Sequence, residues 1–382
     1  MKQKIGLVLS GGGARGAYEV GVLSYIADHY PEILDRVKII TGASVGAVNG
    51  VFLASRGLDR DSVRALADLW RQLDLDDVLS MAHSSLFRLV GAASLRLFRE
   101  GTKSPATGLL NANPLFKLIH KNVDWDGLRQ NVDRGRFEFV AIAATDIATG
   151  LTHLFVESSD KGAHPMRDIE VRPTLLELRH VAASAAIPLL FPPVPIDGRW
   201  YLDGGLRHNT PLTPALRLGA SSLLIVSVDH PRAPLELESS AFPGIGQVVG
   251  KLLDSMFLDR MAYDLDRLER INDMLALFEQ NGGDAEALRS GLRSRGRRPY
   301  RHTPFVAIRP SQDLGQEANA VMLASPGRPG SFRRVLSQLF GNDQHSSADA
   351  ASFLLFDAVY AEKLMAIGYE DARRCASGFA AL

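Results

Sequence analysis

The sequence predicts an α/β fold: a mostly parallel central sheet with helices on both faces, followed by C-terminal helical additions. Three observations lead there. Short apolar runs alternate with helix-compatible stretches through roughly the first 230 residues. The first two runs, at 5–9 and 37–41, are nearly continuous in apolar residues, as strands buried on both faces are. Each run ends in a glycine-rich turn, and in open α/β sheets ligands bind beyond the carboxyl ends of the strands.

The elements follow in order. The strand at 5–9 leads through a first turn, Gly11-Gly12-Gly13-Ala14-Arg15-Gly16, into a helix near 16–29. The strand at 37–41 leads through a second turn, Gly42-Ala43-Ser44-Val45-Gly46, into a helix ending near Ser55. Residues 60–72 read as helical. Residues 79–103 mix Leu86, Phe87, Leu89, Val90, Leu95, Leu97 and Phe98 with Arg88, Arg96, Arg99 and Lys103. Such a stretch suits an interfacial lid or, equally, a core helix with a basic edge. Phe137–Ala143 and Leu151–Val156 are strand-like, and 172–186 reads as a helix opening with Pro173. Asp197-Gly198 signals a hairpin turn with a strand after it to Leu202, and Ser222–Val228 is another buried strand. Residues 231–246 carry three prolines and two glycines, which marks a linker or surface loop. Beyond it come a helical stretch at 247–280 stopped by Asn281-Gly282-Gly283, a run of six arginines without an acid at 289–301, a strand at 305–308 and a helix at 348–367.

Both glycine turns aim backbone N–H groups at whatever lies above a helix N-terminus, and the second puts a serine at its apex. An anion hole beside a nucleophile is the apparatus of acyl transfer. Ser44 in a G-x-S-x-G elbow is the candidate nucleophile, with Gly42 and Gly46 removing the side chains that would clash in the turn. The first turn also fits the dinucleotide fingerprint G-x-G-x-x-G. That reading expects an acid at the end of the second strand, where this chain has Thr41-Gly42-Ala43-Ser44 instead. No Lys-Ser/Thr follows the last glycine, so a Walker-type phosphate loop is excluded. A serine needs a base. Asp203, before Gly204-Gly205, is either a turn former or a carboxylate at the rim of the site. His208, on the same loop, keeps a compressed triad as an alternative.

These motifs in order, G-G-G-x-R-G, G-x-S-x-G and D-G-G, resemble the patatin-like phospholipase family. Thr145-Asp146 with Thr149-Gly150, the run from Ala183 to Pro188 with Phe191, and Asn209 with Pro211 extend the resemblance over residues 4–230. It implies a three-layer sandwich and a Ser44–Asp203 dyad without histidine. It also implies an oxyanion hole from Gly11, Gly12 and Gly13, with Arg15 bracing that loop. Gly16, Gly42, Gly46, Gly204 and Gly205 support the motifs. The implied substrate is a lipid or acyl ester, cleaved without metal or organic cofactor. Transfer to an alcohol other than water would share the acyl-enzyme, and a catalytically silent regulatory protein is the alternative from another class. The expected organisation is a catalytic domain at 4–230 and a mainly helical region at 231–382 packed on or beside it.

Composition narrows the partners. The 382 residues carry 43 basic and 43 acidic side chains, a balance that gives no reason to expect nucleic acid. The single cysteine, Cys375, allows neither an internal disulfide nor a cysteine metal cluster. The apolar run after Lys2 and Lys4 is too short for a signal-peptide core, so a cytoplasmic protein is expected. The basic stretches at 79–103 and 289–301 raise peripheral contact with the inner face of a membrane. Oligomeric state is not legible.

Overall fold

The computed structural model of the chain describes residues 4–78, 80–81, 110–111, 113–159, 166, 168–188, 190–230, 261–295, 299–325, 334 and 347–382. Its strands, in chain order, are β1 (Ile5–Leu9), β2 (Val37–Ala43), β3 (Ser80–Met81), β4 (Leu110–Asn111), β5 (Phe139–Asp146), β6 (Thr152–Glu157), β7 (Ile169–Pro173), β8 (Val194–Ile196), β9 (Arg199–Asp203), β10 (Ser222–Val226) and β11 (Phe305–Ile308). Apart from the β3–β4 ribbon, they form one sheet in the order β11-β10-β1-β2-β5-β6-β7, with β9 joined to β5 and β8. The five strands from β11 to β5 are parallel. The β5–β6, β5–β9 and β8–β9 pairs are antiparallel.

Side chains alternate across this sheet, as the two-residue period of a strand dictates. Leu7 and Leu9 of β1, Ile40 of β2 and Val140 of β5 enter one core, which is closed by the helices Ala17–His29, Val45–Arg56 and Arg60–Arg71. Val8, Ile39 and Phe139 enter the opposite core, closed by the helix Leu212–Leu218 and by Met261 and Leu268 of the helix Met261–Gln280. Helices therefore cover both faces, as the alternation of elements predicts.

Local chemistry sets the helix ends. Asp59 caps the helix Arg60–Arg71: its carboxylate accepts from the Ser62 N–H, and the Ser62 hydroxyl accepts from the Asp59 N–H, both at 2.8 Å. The helix Val45–Arg56 stops at Gly57, which takes the left-handed conformation.

Two expected helices are redrawn. The stretch 172–186 is not one helix. Residues through Pro173 extend β7 along β6, and the helix is only Leu178–Ser184, started by a capping box between Glu177 and His180. Pro173 suits a first helical turn, but it equally suits the end of a strand, and pairing with β6 decides. The final helix is split into Ser347–Leu354 and Ala358–Arg374, because Asp357 caps a new start by accepting from the Tyr360 N–H at 3.0 Å. The second part runs past the expected end because it crosses the helix Ala17–His29 closely. A Cβ on Gly368 would lie 2.2 Å from the Tyr18 carbonyl oxygen. Nearly all of 79–103, the linker at 231–246 and the first part of 247–280 lie outside the described residues. The helix Met261–Gln280 ends just before Asn281 and Gly282, the latter at positive φ, as expected.

Candidate active site

Strand register brings the motifs together. β1 and β2 are neighbours, with Leu9 opposite Gly42, so the two glycine turns leave the sheet side by side. β5 is longer than β2. Along residues 140–145 one edge of β5 is taken by β6, so β2 and β9 must share the other. β2 pairs as far as Ala43–Ala143, and β9 takes over at once with Asp203 opposite Ala144. Asp203 is thereby delivered beside the residue that follows Ala43, which is Ser44.

Ser44 sits at the apex of the elbow with φ 51° and ψ −126°, a conformation that costs a non-glycine residue about 1–3 kcal/mol and is held by its surroundings. Gly46 lets the elbow close: a Cβ there would lie 2.5 Å from the carbonyl oxygens of Leu9 and Ser10. Ser44 is the N-cap of the helix Val45–Arg56, whose N-terminal dipole favours negative charge at this spot.

The Asp203 side chain is fully buried. Its Oδ1 accepts from the Gly205 N–H at 2.7 Å. The Ser44 hydroxyl lies close enough to help its ionised form, yet among the described residues Oδ2 has no partner in regular hydrogen-bond geometry. Burial dominates and lifts its pKa from 3.8 to about 7, against the opposing pull of the Ser44 hydroxyl and the Gly205 N–H. A carboxylate poised there is a far better base at neutral pH than a solvated aspartate.

Ser184 ties the two halves together, a role that its place in the Ala183–Pro188 run does not reveal. Its hydroxyl donates to the Ala143 carbonyl at 2.7 Å and accepts from the Ser44 N–H at 2.9 Å. Its carbonyl accepts from the Gly204 N–H at 3.2 Å, and the Ala186 carbonyl accepts from the Asp203 N–H at 2.9 Å.

The three glycines expected to bind an oxyanion are not equivalent. The Gly11 N–H donates to the Asn209 carbonyl at 2.9 Å and is thus already used. No protein acceptor takes the N–H of Gly12 or Gly13 among the described residues. Gly13 has φ +57°, and a Cβ on it would lie 2.2 Å from the Phe353 carbonyl oxygen. Arg15 is buried. Its Nε donates to Ser352 Oγ at 2.7 Å, and its guanidinium lies 4.0 Å above the Phe353 ring. Gly16, Gly42, Gly204 and Gly205 are all buried close to this centre.

Beneath the first turn lies a network absent from the sequence reading. Glu19 is fully buried, and burial raises its pKa to about 8 despite help from Asn49, so it is protonated at neutral pH. Asn49 Nδ2 donates to Glu19 Oε2 at 2.8 Å and to the Gly16 carbonyl at 3.1 Å, while Trp70 Nε1 donates to Asn49 Oδ1 at 3.1 Å. To the other side, Asp146 is held by Thr149 at 2.7 Å and Arg199 at 2.9 Å. Burial pushes the Asp146 pKa up, but these hydrogen bonds and the facing His153 prevail and hold it below its ordinary value. His208 Nδ1 hydrogen-bonds Thr152 Oγ1 at 2.9 Å.

Ser44 and Gly13 open onto a cavity with about 750 Å³ of empty space, counting its mouth. Its walls are almost wholly apolar: Val48, Phe52, Leu66, Trp70, Ile119 and Phe191 are representative. Asn122 and Val123 also line it, and Arg56 at the far end of the helix Val45–Arg56 donates to the Asn122 carbonyl at 3.3 Å. The cavity therefore follows this helix away from the serine. From Val45 to Phe52 that is about 10 Å at 1.5 Å per residue.

Among the described residues, no group of three or more His, Cys, Asp or Glu is arranged to hold a metal ion. None of their helices is long and apolar enough to cross a membrane. The arginine run is partly engaged. Arg289 and Arg293 pair with Glu286 at 3.3 and 3.0 Å within the helix Ala285–Ser294, and Arg301 donates to the carbonyls of Gly219 and Ala220.

The patatin-like phospholipase family profile matches residues 7–216. A lysophospholipase NTE1 of Cryptococcus neoformans is 25% identical over 233 residues, which cover 59% of this chain and 11% of that protein. An uncharacterised NTE family protein of Mycobacterium tuberculosis is 28% identical over 231 residues, covering 60% of this chain and 50% of the relative. The matched stretch thus spans at most half the length of these two relatives. Among solved structures, VipD from Legionella pneumophila overlaps 93% of this chain and 67% of its own, at 14% identity and a TM-score of 0.35. The human GIVD cytosolic phospholipase A2 overlaps 98% of this chain and 59% of its own, at 14% identity and a TM-score of 0.34.

Proposed function

The chain belongs to the patatin-like phospholipase family, and from that premise we propose that it hydrolyses acyl esters of lipids through a Ser44–Asp203 dyad. The observation that carries this reading is the buried Asp203 beside the strained Ser44, which itself lines an apolar cavity. Relatives that include a lysophospholipase support the lipid part of the reading.

The acyl chain lies in the cavity and leaves its carbonyl at Ser44. Each methylene moved from water into that cavity contributes about 0.8 kcal/mol. Asp203 accepts the hydroxyl proton as Ser44 Oγ attacks the carbonyl carbon. The oxyanion then accepts hydrogen bonds from the N–H groups of Gly12 and Gly13, beside the N-terminus of the helix that begins after Ser44. A single donor of this kind is typically worth about 10²–10³ in kcat. The alcohol leaves with the proton held by Asp203. Water, deprotonated by the same carboxylate, then attacks the acyl-serine, and Ser44 Oγ leaves with that proton as the acid is freed.

Protonated Asp203 cannot act as a base. kcat/KM should therefore rise with pH and reach half its plateau near pH 7. The test pairs p-nitrophenyl esters and phospholipids with Ser44→Ala and Asp203→Asn. Both variants should lose nearly all turnover, and Ser44→Ala should lose fluorophosphonate labelling. Near-wild-type turnover in either variant would remove that residue from the mechanism.

A further inference from the structure

The family match ends at residue 216, yet the cavity is not lined wholly by residues within it. Phe356 also lines the cavity, and it comes from the break between the helices Ser347–Leu354 and Ala358–Arg374. Its ring stacks on Trp70 with centroids 6.1 Å apart and planes 18° apart.

The position of Trp70 locates this wall. A Cβ on Gly16 would lie 2.4 Å from Val45 Cγ2 and 3.2 Å from Trp70 Cζ2. Gly16 thus packs between Val45, the residue after Ser44, and Trp70, which puts Trp70 on the side of the cavity where the helix Val45–Arg56 begins, and Phe356 stacks on it. The wall is fixed in place. The Trp70 Nε1–H is held by Asn49 at 3.1 Å. On the other side, the Phe353 carbonyl abuts Gly13, and the buried Ser352 accepts from Arg15 Nε at 2.7 Å. A rigid aromatic pair limits the width available to an acyl group where it leaves the serine, whereas the length of the cavity is set further along the helix Val45–Arg56.

We propose that Phe356 is a specificity-determining residue, which with Trp70 restricts the site to acyl groups unbranched next to the carbonyl. This rests on the acyl-hydrolase reading above, since it describes what that site accepts. The C-terminal segment is then a working part of the site.

The experiment compares kcat/KM for p-nitrophenyl butanoate and p-nitrophenyl 2-methylbutanoate in the wild type, Phe356→Ala, Phe356→Leu and Phe356→Trp. The branched ester is intrinsically less reactive, but that difference cancels when the linear-to-branched ratio of a variant is divided by that of the wild type. A methyl group admitted or refused by an apolar pocket is worth tenfold or more, so Phe356→Ala should lower the ratio by about tenfold. Phe356→Leu should lower it less, and Phe356→Trp should raise it. Thermal melts identify any variant that fails to fold, and the remaining substitutions then decide. Ratios that stay within about twofold of the wild type in every folded variant would overturn the assignment. A wild type inactive on both esters would instead overturn the hydrolase reading on which it rests.

Discussion

Asp203→Asn should abolish turnover and yet make the protein more stable, by an amount that depends on pH. The folded protein holds the Asp203 pKa at about 7, against 3.8 when the group is solvated. Between those values the folded state binds more protons than the unfolded one, so stability falls as pH rises through this window. Well above pH 7 the buried carboxylate costs about 4 kcal/mol, from roughly three pH units at about 1.36 kcal/mol each, and near pH 5 it costs less than about half of that. Asparagine removes this charge while its Oδ1 can still accept from the Gly205 N–H, which is 2.7 Å from the aspartate oxygen. Its amide nitrogen replaces Oδ2, which has no regular partner, and burying that group imperfectly satisfied offsets about 1–2 kcal/mol at any pH. The expected net gain is therefore near zero at about pH 5 and about 2–3 kcal/mol at about pH 8.5. Urea denaturation of both proteins at the two pH values measures it. Glu19 titrates in this range too, but it is common to both proteins and cancels. A gain that is the same at both pH values, or a loss at the higher one, would refute the buried high-pKa carboxylate.

Residues around the proposed dyad should respond in their own ways. Ser184→Ala removes the hydroxyl that links the Ser44 N–H to the Ala143 carbonyl. Steady-state kinetics should show kcat down by about 10–100-fold with KM little changed, and Ser184→Thr should restore part of the loss. Gly13→Ala must place a Cβ against the Phe353 carbonyl at positive φ. A loss of about 1–3 kcal/mol in urea denaturation is expected, together with a fall in kcat as the loop shifts. His208→Ala should change kcat by less than about tenfold, since removing a true general base costs 10²–10⁴. A loss matching that of Asp203→Asn would instead revive the compressed triad.

Sequence alone was enough for the class of fold and for the order of its motifs, because those depend on local rules. Apolar runs of strand length, glycine turns at their carboxyl ends and helix-period stretches between them can be read without knowing what packs where. The sharp turn at Ser44 was legible because it is a contiguous pentapeptide. Local reading failed where pairing decides. Arg172 and Pro173 fit a helix start or a strand end equally well, and only β6 selects the strand. The helices Asn113–Asn122, Leu212–Leu218 and Leu314–Ala324 carry no clear local signature, since short amphipathic segments gain most of their stability from the faces they bury. The chemistry proposed for the site likewise depends on tertiary structure. A carboxylate becomes a base near neutrality only when the fold removes its water, and no spacing in the sequence records that Asp203 is fully buried. Gly11 differs from Gly12 and Gly13 because a carbonyl of Asn209, far along the chain, occupies its N–H. Phe356 reaches the cavity because the C-terminal helix locks onto the first one. Contacts of that range depend on three-dimensional packing, and neighbouring residues carry no trace of them.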